Sequence, residues 1–337
     1  MSSDLELRCK EMCAQLDLGS GDAVSEVLPL TGGVASDIAK VTIGERVLCM
    51  KFALAKLKVA EDWRAPVHRN RAEYAWLEAA AVVAPEGAVK LFGRSEALHG
   101  FAMEFLDGAG VYLWKDALLA QAPLQGEAAK VADLVGRVHQ ASAEVSFDRG
   151  AFHNRDDFSA LRIKPYLSFT AERHPDLAAP MHAMAEQLYR ADAVLVHGDV
   201  SPKNILLRDG TPILLDAECA TMGDASFDPA FCLNHLVLKA LHLPESRQAL
   251  LGQISAFWAA YRPYIGWEDP DGLEKRVCRL LPMLLLARVD GKSPVEYLSA
   301  PMAQMTRKIA RELIGEPVDT LAALIEHLTS KTKETIK

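Results

Sequence analysis

Three oxygen-bearing side chains follow one another closely in the second half of the sequence. Asp199 completes a His-Gly-Asp run, Asn204 comes five residues later, and Asp216 comes twelve residues after Asn204. A carboxylate can orient an attacking hydroxyl and accept its proton, while amide and carboxylate oxygens are ligands that Mg²⁺ prefers. The spacing therefore indicates phosphoryl transfer, with Asp199 as the catalytic base and Asn204 and Asp216 holding magnesium beside the phosphates.

Another carboxylate, Glu218, follows Asp216 by two residues. It is either a further metal ligand or substrate contact, or a surface carboxylate beside a turn. The whole segment is also rich in Asp, Asn, Gly and Pro, which are the usual turn residues. A turn alone does not require His-Gly-Asp together with an Asn at a fixed distance, so the catalytic interpretation is favoured.

An upstream pair of opposite charges has the order that a nucleotide site requires. Lys51 lies in an apolar run typical of a strand, and Glu73 lies in the helical pattern that follows. An ammonium on a strand can reach nucleotide phosphates, and a carboxylate on the next helix can hold that ammonium in place. Each residue alone would be an ordinary solvated charge. Their order before the loop from His197 to Asn204, here called the catalytic loop, is what indicates a pair.

A glycine turn precedes the strand of Lys51, in the run Thr31-Gly32-Gly33-Val34-Ala35-Ser36. Glycines let backbone N–H groups approach phosphates closely because they have no side chain. The turn is also typical of a simple hairpin, and it lacks the GxGxxG spacing. Gly32, Gly33 and Ser36 are the residues expected to cover a nucleotide.

The elements that must position these residues change in type along the chain. Short apolar runs separated by turns, with one helical pattern over 70–82, predict a β-rich first hundred residues, including a hairpin turn at Gly44-Glu45. Helical periodicity then dominates, in the segments 128–143, 181–189, 230–241, 247–261 and 273–288. The catalytic loop interrupts these helices between two apolar strands, and the Lys- and Thr-rich end from Ser330 is expected to fray.

Length and composition limit the fold and the partners. Because 337 residues exceed what one core usually supports, we predict an α+β protein with a nucleotide-binding lobe over 1–106 and a mainly helical catalytic lobe over 107–337. The net charge of −8 argues against a nucleic-acid partner. The N-terminus does not resemble a signal peptide and no stretch is apolar enough to span a membrane, so a cytoplasmic protein is expected. Six scattered cysteines without a CxxC pair are expected to be reduced and buried.

The loop from His197 to Asn204, followed by Asp216, resembles the catalytic and metal loops of the aminoglycoside phosphotransferase and choline kinase superfamily. These enzymes are relatives of protein kinases, but His-Gly-Asp replaces His-Arg-Asp and Asp216-Ala217-Glu218 replaces Asp-Phe-Gly. The resemblance implies a bilobal protein-kinase-like fold, ATP and Mg²⁺ as cofactors, and a small-molecule hydroxyl as acceptor. It also implies that His197 is structural, and His139 is expected to be an ordinary core histidine.

The run Met103-Glu104-Phe105-Leu106-Asp107-Gly108 resembles the interlobe hinge of these kinases. The resemblance implies that main-chain atoms of Glu104 and Leu106 pair with adenine. The acceptor is less defined. Arg162 and Arg288 lie in segments of the second lobe, and Arg forks suit hydroxyls, carboxylates or phosphates, so they are candidate substrate contacts, although surface charge is the alternative.

The identity of the acceptor is narrowed by two further details. Asp216 and Glu218, followed by Gly223-Asp224 and Phe227-Asp228, resemble 5-methylthioribose kinase. The tail from Ser330 is basic, whereas many aminoglycoside-modifying relatives use acidic C-terminal residues to bind a polycationic drug. A sugar-like or otherwise hydroxylated metabolite, neutral or anionic, is therefore expected over an antibiotic.

Several alternatives stay open at this point. An antibiotic phosphotransferase of the aminoglycoside type and a non-catalytic nucleotide-binding pseudokinase both share the motifs, although the complete set of polar site residues disfavours the latter. A protein kinase is disfavoured because no Ala-Pro-Glu-like segment follows Asp216. An all-helical interaction module would not bind nucleotide. The choice of ATP over GTP and the oligomeric state are not determined.

Overall fold

The computed structural model describes residues 2–30, 36–56 and 66–334 of the chain. Two compact units are present, Met1–Val111 and Tyr112–Lys337. The expected division after residue 106 lies five residues before this boundary.

The N-terminal unit is built on one antiparallel sheet. Its helices are α1 (Ser2–Gln15) and α2 (Asn70–Val83), and its strands are β1 (Val24–Leu30), β2 (Ser36–Ile43), β3 (Arg46–Ala53), β4 (Leu91–Ser95) and β5 (Gly100–Glu104). The strand order is β1-β2-β3-β5-β4. The β2–β3 hairpin turns at the predicted Gly44-Glu45, where Gly44 has φ of +58°.

Strand β3 is the central strand of this sheet, and its second half is buried. Apolar side chains of β3, including Leu48, Met50 and Phe52, pack with Cys9 and Met12 of α1. Lys51 faces away from this cluster because neighbouring strand residues point to opposite faces. The core on one face therefore fixes the position of a buried lysine on the other.

The C-terminal unit is mainly helical and has two small sheets. Strand β6 (Val111–Leu113) is followed by α3 (Trp114–Leu119), α4 (Glu127–Ala143), α5 (Arg155–Phe158), a π-helix (Ser159–Ser168), α6 (Phe169–Arg173), α7 (Ala178–Arg190), β7 (Val194–Val196), β8 (Ile205–Arg208), β9 (Thr211–Leu214), β10 (Thr221–Gly223), α8 (Phe227–His242), α9 (Arg247–Tyr261), α10 (Pro270–Asp290), α11 (Ala300–Gly315) and α12 (Leu321–Glu334). The small sheets are β6-β8-β9 and β10-β7.

Helix α8 lies at the centre of the unit, since every residue from Phe227 to Leu241 is buried. It contacts α9, α10 and α11. A helix that is buried on all sides is expected to be apolar all round, yet α8 also buries Asp228, Asn234, His235 and Lys239. These polar residues need partners, and they bear on the site described below.

The predicted α+β architecture is confirmed, with a unit built on an antiparallel sheet first and a mainly helical unit after it. Helix α9 has the predicted bounds, whereas α8 and α10 extend a few residues beyond the periodic segments. The expected fraying from Ser330 is wrong, because α12 continues to Glu334 and Thr332 donates a hydrogen bond to the carbonyl oxygen of Leu328 at 2.9 Å.

The cysteine prediction is also confirmed, because all six thiols are free and buried. Burial raises the pKa of Cys9, Cys49 and Cys278 to about 12. Across the described parts of the chain, no helix combines the length and apolarity needed to cross a membrane.

Candidate active site

The catalytic loop follows β7 and turns at Gly198. This glycine has φ of +82°, a left-handed conformation that is unfavourable for a residue with a Cβ. A Cβ at this position would also lie 3.0 Å from the Cβ of Cys219. Glycine is therefore required for the chain to turn here and place Asp199 after β7.

Asp228, in the first turn of α8, holds the backbone of this loop. Its carboxylate accepts hydrogen bonds from the main-chain N–H groups of His197, at 2.7 Å, and Gly198, at 2.9 Å. His139 Nε2 lies 3.3 Å from the same carboxylate, and His139 Nδ1 lies 2.7 Å from the Tyr261 hydroxyl. The loop is thus tied to α4, α8 and α9.

The sequence assigned no role to Asp228. A usable signal was present, because a carboxylate in the first turn of a mostly apolar helix needs a buried partner. The expectation that His139 is a core histidine is confirmed by its complete burial and its two polar neighbours.

His197 supports the loop from within. Its Nδ1 accepts a hydrogen bond from the main-chain N–H of Asp199 at 3.1 Å. Burial lowers the pKa of His197, so the ring is neutral when it accepts this bond. This geometry agrees with the structural role that the sequence resemblance implied.

Two cations lie against one oxygen of Asp199. Arg162 Nη2 is 2.9 Å from Oδ2, and Lys203 Nζ is 3.2 Å from it. Burial by itself would raise the pKa of Asp199, but the charges of Lys203 and Arg162 hold that pKa far below its usual range. The other oxygen, Oδ1, is buried and accepts no hydrogen bond from any residue that the structure describes. Asp199 is an ionised carboxylate with one open acceptor position.

Asn204 and Asp216 are brought together by the β8–β9 hairpin. Asn204 directly precedes β8, Asp216 follows β9 by two residues, and the N–H of Leu215 donates to the carbonyl oxygen of Asn204 at 2.9 Å. Asp216 has φ of +69°, which is unusual for a residue other than glycine. Such conformations concentrate at functional sites because the surrounding structure must enforce them.

The amide of Asn204 is oriented by the catalytic loop. Its Nδ2 donates to the main-chain oxygen of Asp199 at 3.1 Å, so its Oδ1 is turned away as an oxygen ligand. Glu218 is buried two residues beyond Asp216. Within the described residues, no three or more His, Cys, Asp and Glu side chains are preassembled around a metal position. An amide with two carboxylates is nevertheless an all-oxygen donor set, which fits Mg²⁺ shared with phosphate oxygens.

The two arginines predicted to contact substrate occupy different environments. Arg162, on the π-helix, donates to the carbonyl oxygens of Gly198 and Leu161 as well as to Asp199. These internal bonds favour a role in holding Asp199. Arg288, on α10, donates through Nη1 to Ser293 Oγ at 3.0 Å, while its Nε is buried without a hydrogen-bond partner in the described chain.

In the N-terminal unit, Lys51 and Glu73 form the predicted pair. Lys51 on β3 is 4% exposed and Glu73 on α2 is 1% exposed, with 2.7 Å between Nζ and Oε2. Two buried opposite charges must stay together, because removing one leaves the other without compensation. The pair therefore fixes the lysine ammonium at a defined point of the sheet.

The remaining predicted nucleotide contacts are only partly described. Gly32 and Gly33 lie outside the described residues, whereas Ser36 begins β2 and is buried. Glu104 ends β5, and its N–H donates to the carbonyl oxygen of Lys90 at 2.8 Å. Leu106 follows β5, and its main-chain groups make no hydrogen bond with the described part of the chain, as is required of a residue that pairs with an external base.

The chain matches one family of known proteins over most of its length. The model of the family described as "Phosphotransferase enzyme family" matches residues 26–268. No curated protein matches the chain.

Solved structures with the same fold share little sequence with the chain. A choline/ethanolamine kinase family protein from Mesorhizobium loti has a TM-score of 0.50 and 15% identity, over 100% of this chain and 95% of that one. The amicoumacin kinase hAmiN, in complex with AMP-PNP, Ca²⁺ and Ami, has a TM-score of 0.54 and 14% identity, over 96% and 100%. The aminoglycoside phosphotransferase APH(4)-Ia has a TM-score of 0.51 and 17% identity, over 94% and 100%.

These identities are low, so the structural likeness establishes the fold rather than the substrate. The family match spans most of the chain and includes both the Lys51–Glu73 pair and the catalytic loop. The chain belongs to the phosphotransferase enzyme family and is a small-molecule kinase of that family.

Proposed function

We propose that the protein transfers the γ-phosphate of ATP to a hydroxyl of a small metabolite, with Asp199 as the residue that receives the hydroxyl. The observation that carries this proposal is the open Oδ1 of Asp199, a buried anionic acceptor without a partner among the described residues. A buried polar atom normally has a hydrogen-bond partner. A substrate hydroxyl is the donor that fits an ionised carboxylate here.

The low pKa of Asp199 affects how this residue acts. An ionised carboxylate held by Arg162 and Lys203 is a weak base, but it accepts a strong hydrogen bond and directs a lone pair of the hydroxyl toward the phosphorus. Phosphoryl transfer depends mainly on positioning and electrostatics. Asp199 accepts the proton late, when the bond to phosphorus has lowered the pKa of the hydroxyl.

Asn204, Asp216 and Glu218 are the residues that would hold Mg²⁺. The ion, when bound, neutralises charge on the transferring phosphates. The hairpin and the catalytic loop hold Asn204 in position before any ligand arrives, since its backbone and its amide are both hydrogen-bonded within the fold. This arrangement lowers the entropic cost of assembling the site.

The N-terminal unit is proposed to bind the nucleotide. Lys51, held by Glu73 at 2.7 Å, is suited to bind phosphate oxygens, and the main chain at Glu104 and Leu106 is suited to pair with adenine. Gly32, Gly33 and Ser36 stay predictions as the residues that cover the phosphates. The complex of hAmiN with AMP-PNP supports the choice of an adenine nucleotide as the first ligand to test.

The deciding experiment is a screen for acceptor-dependent ADP release. Hydroxylated metabolites and aminoglycoside antibiotics are tested with Mg-ATP, and Asp199→Asn serves as the blank because it keeps the side-chain shape but removes the charge. We expect the variant to lose about 10²–10⁴-fold in kcat, with nearly unchanged affinity for Mg-AMP-PNP. Near-normal turnover of Asp199→Asn would exclude the proposed role of Asp199. ADP release with antibiotics alone would show that the acceptor is an antibiotic and not a metabolite.

A further inference from the structure

Lys239 is a buried lysine without a counterion. It lies on α8 and is 2% exposed, and its Nζ makes no hydrogen bond and no ion pair with any residue that the structure describes. Lysine is rarely buried unless it is paired. Its pKa is lowered to about 7, first by burial and then by the charges of Lys115 and Arg288.

Two other donors around Lys239 also lack partners. Lys239 Nζ lies 5.4 Å from the centre of the Tyr297 ring, and the Tyr297 hydroxyl is buried without a hydrogen bond to the described chain. The Nε of Arg288 is likewise buried without a hydrogen bond to the described chain. Arg288 lies beside the segment that carries Tyr297, because its carbonyl oxygen accepts from the N–H of Val295 at 2.9 Å.

The carboxylate of Glu296 acts on Lys239 but does not neutralise it. Glu296 is paired instead with Lys115, at 3.1 Å. The charges around Lys239 are therefore mostly positive. The unpartnered Nζ of Lys239 and Nε of Arg288 can only donate hydrogen bonds, and the Tyr297 hydroxyl can donate one as well. A cationic ligand would be repelled here, whereas an oxyanion would supply both the missing charge and the missing acceptors.

A short path of side chains connects these donors to the catalytic base. Arg288 Nη1 lies 3.3 Å from the Tyr166 hydroxyl, and Tyr166 is four residues from Arg162 on the π-helix. The side chains of Tyr166 and Arg162 both contact Phe231 of α8. Lys239 lies eight residues after Phe231 on the same helical face. Eight residues of helix span roughly 12 Å, which is within the reach of a small metabolite.

We propose that Lys239, Arg288 and Tyr297 bind an oxyanion, a carboxylate or a phosphate, that is part of the acceptor whose hydroxyl Asp199 receives. The inference rests on the proposed function, because it assigns the anion to the acceptor. It makes the substrate an alcohol with an anionic group at its far end, and it distinguishes this enzyme from relatives that act on cationic compounds.

The first experiment tests the site without catalysis. Inorganic phosphate and malonate, and choline as the cation, are titrated at constant ionic strength and pH 6.5 in the presence of Mg-AMP-PNP, with binding followed by thermal shift and calorimetry. Lys239→Met is compared with Lys275→Met, which removes an exposed lysine paired with Asp319. We expect an anion to stabilise the wild type and Lys275→Met, and Lys239→Met to lose at least about tenfold in affinity. Equal anion binding by Lys239→Met and the wild type would overturn the proposal.

The second experiment compares acceptors of one skeleton. Glycerol, glycerol phosphate, glycerate and an amino-propanediol are tested for ADP release, as are glucose, glucose phosphate, gluconate and glucosamine. We expect an anionic acceptor to be preferred, and Lys239→Met to raise the KM for that acceptor about tenfold or more. Comparing the phosphate with the carboxylate of the same skeleton shows which anion the site prefers. Preference for a cationic or neutral member overturns the anion site and leaves the proposed kinase function intact. Anion binding without ADP release from any acceptor supports the anion site and contradicts the proposed kinase function.

Discussion

At the scale of single residues, the state of Asp199 is set by its neighbours. Arg162 and Lys203 share one carboxylate oxygen and leave the other open. A carboxylate alone in a buried position would become harder to ionise. The two cations reverse that tendency, so one oxygen serves the charge balance and the other is available to a substrate.

Lys203→Met tests this balance. Removing one positive charge should raise the pKa of Asp199, so the acid limb of the pH profile of kcat/KM should move to higher pH than in the wild type. The wild type should show no acid limb from Asp199 near neutral pH, because that pKa is lowered. Steady-state rates measured between pH 4 and 8 check both statements, and an unchanged limb in the variant would contradict the electrostatic role of Lys203.

At the scale of elements, α8 carries both the support of the catalytic loop and the proposed anion site. Asp228 at its start holds two main-chain N–H groups, and Lys239 lies three helical turns later. Both side chains are buried in a helix whose other buried residues are mostly apolar. Such buried polar groups cost stability unless they serve a partner.

Asp228→Ala should destabilise the protein by about 2–4 kcal/mol, because the N–H groups of His197 and Gly198 lose a charged acceptor inside the fold. The loop should also become disordered enough to lower kcat. Urea unfolding followed by circular dichroism gives the free energy of unfolding. Asp271→Asn, at an exposed carboxylate, is the control that should change it little, and equal stability of the two variants would contradict the support role.

Lys239→Met, unlike Asp228→Ala, should stabilise the folded protein. The folded-state pKa of about 7 lies below the ordinary lysine value, so the charged form disfavours folding below pH 7 and this penalty fades as pH rises above 7. The variant should therefore have a higher Tm than the wild type at pH 6, and the gain should shrink toward pH 9. Lys239 is influenced electrostatically by Lys115, Arg288, Glu296 and Cys232. Lys275→Met, measured in parallel, controls for the general effect of removing one positive charge.

At the scale of the whole molecule, nucleotide binding should be visible as stability. A ligand that binds only the folded protein stabilises it by about 2.7 kcal/mol at a hundred times its Kd. We expect Mg-AMP-PNP to raise the Tm of the wild type. The double variant Lys51→Met/Glu73→Gln removes both buried charges together, which avoids leaving one unpaired, and should lose most of this rise.

Calorimetry of the same proteins separates binding from folding. If the double variant folds and binds Mg-AMP-PNP as tightly as the wild type, Lys51 has no part in holding phosphate. A variant that is folded without ligand and does not respond to nucleotide is the expected result.

Local pattern was sufficient for the order of elements and for choosing most of the candidate site residues. Strands, the Gly44-Glu45 turn and the long helices follow from alternation and helical periodicity, which are properties of neighbouring residues. Asp199, Asn204 and Asp216 could be found because they lie within eighteen residues of one another on a loop and a hairpin. Lys51 and Glu73 could be paired because their order along the chain matched a strand and the helix that follows it.

The tertiary structure alone decided which charges meet. Arg162 is 37 residues from Asp199 and Tyr297 is 58 residues from Lys239, and no periodicity relates such positions. Arg162, a candidate substrate contact, lies against Asp199, while Asp228 and Lys239 had no predicted role at all. Sequence determined the kind of chemistry because that depends on side-chain type and short spacing. Packing around α8 decided the pKa values and the open donors, because these depend on burial and on neighbours that are distant along the chain.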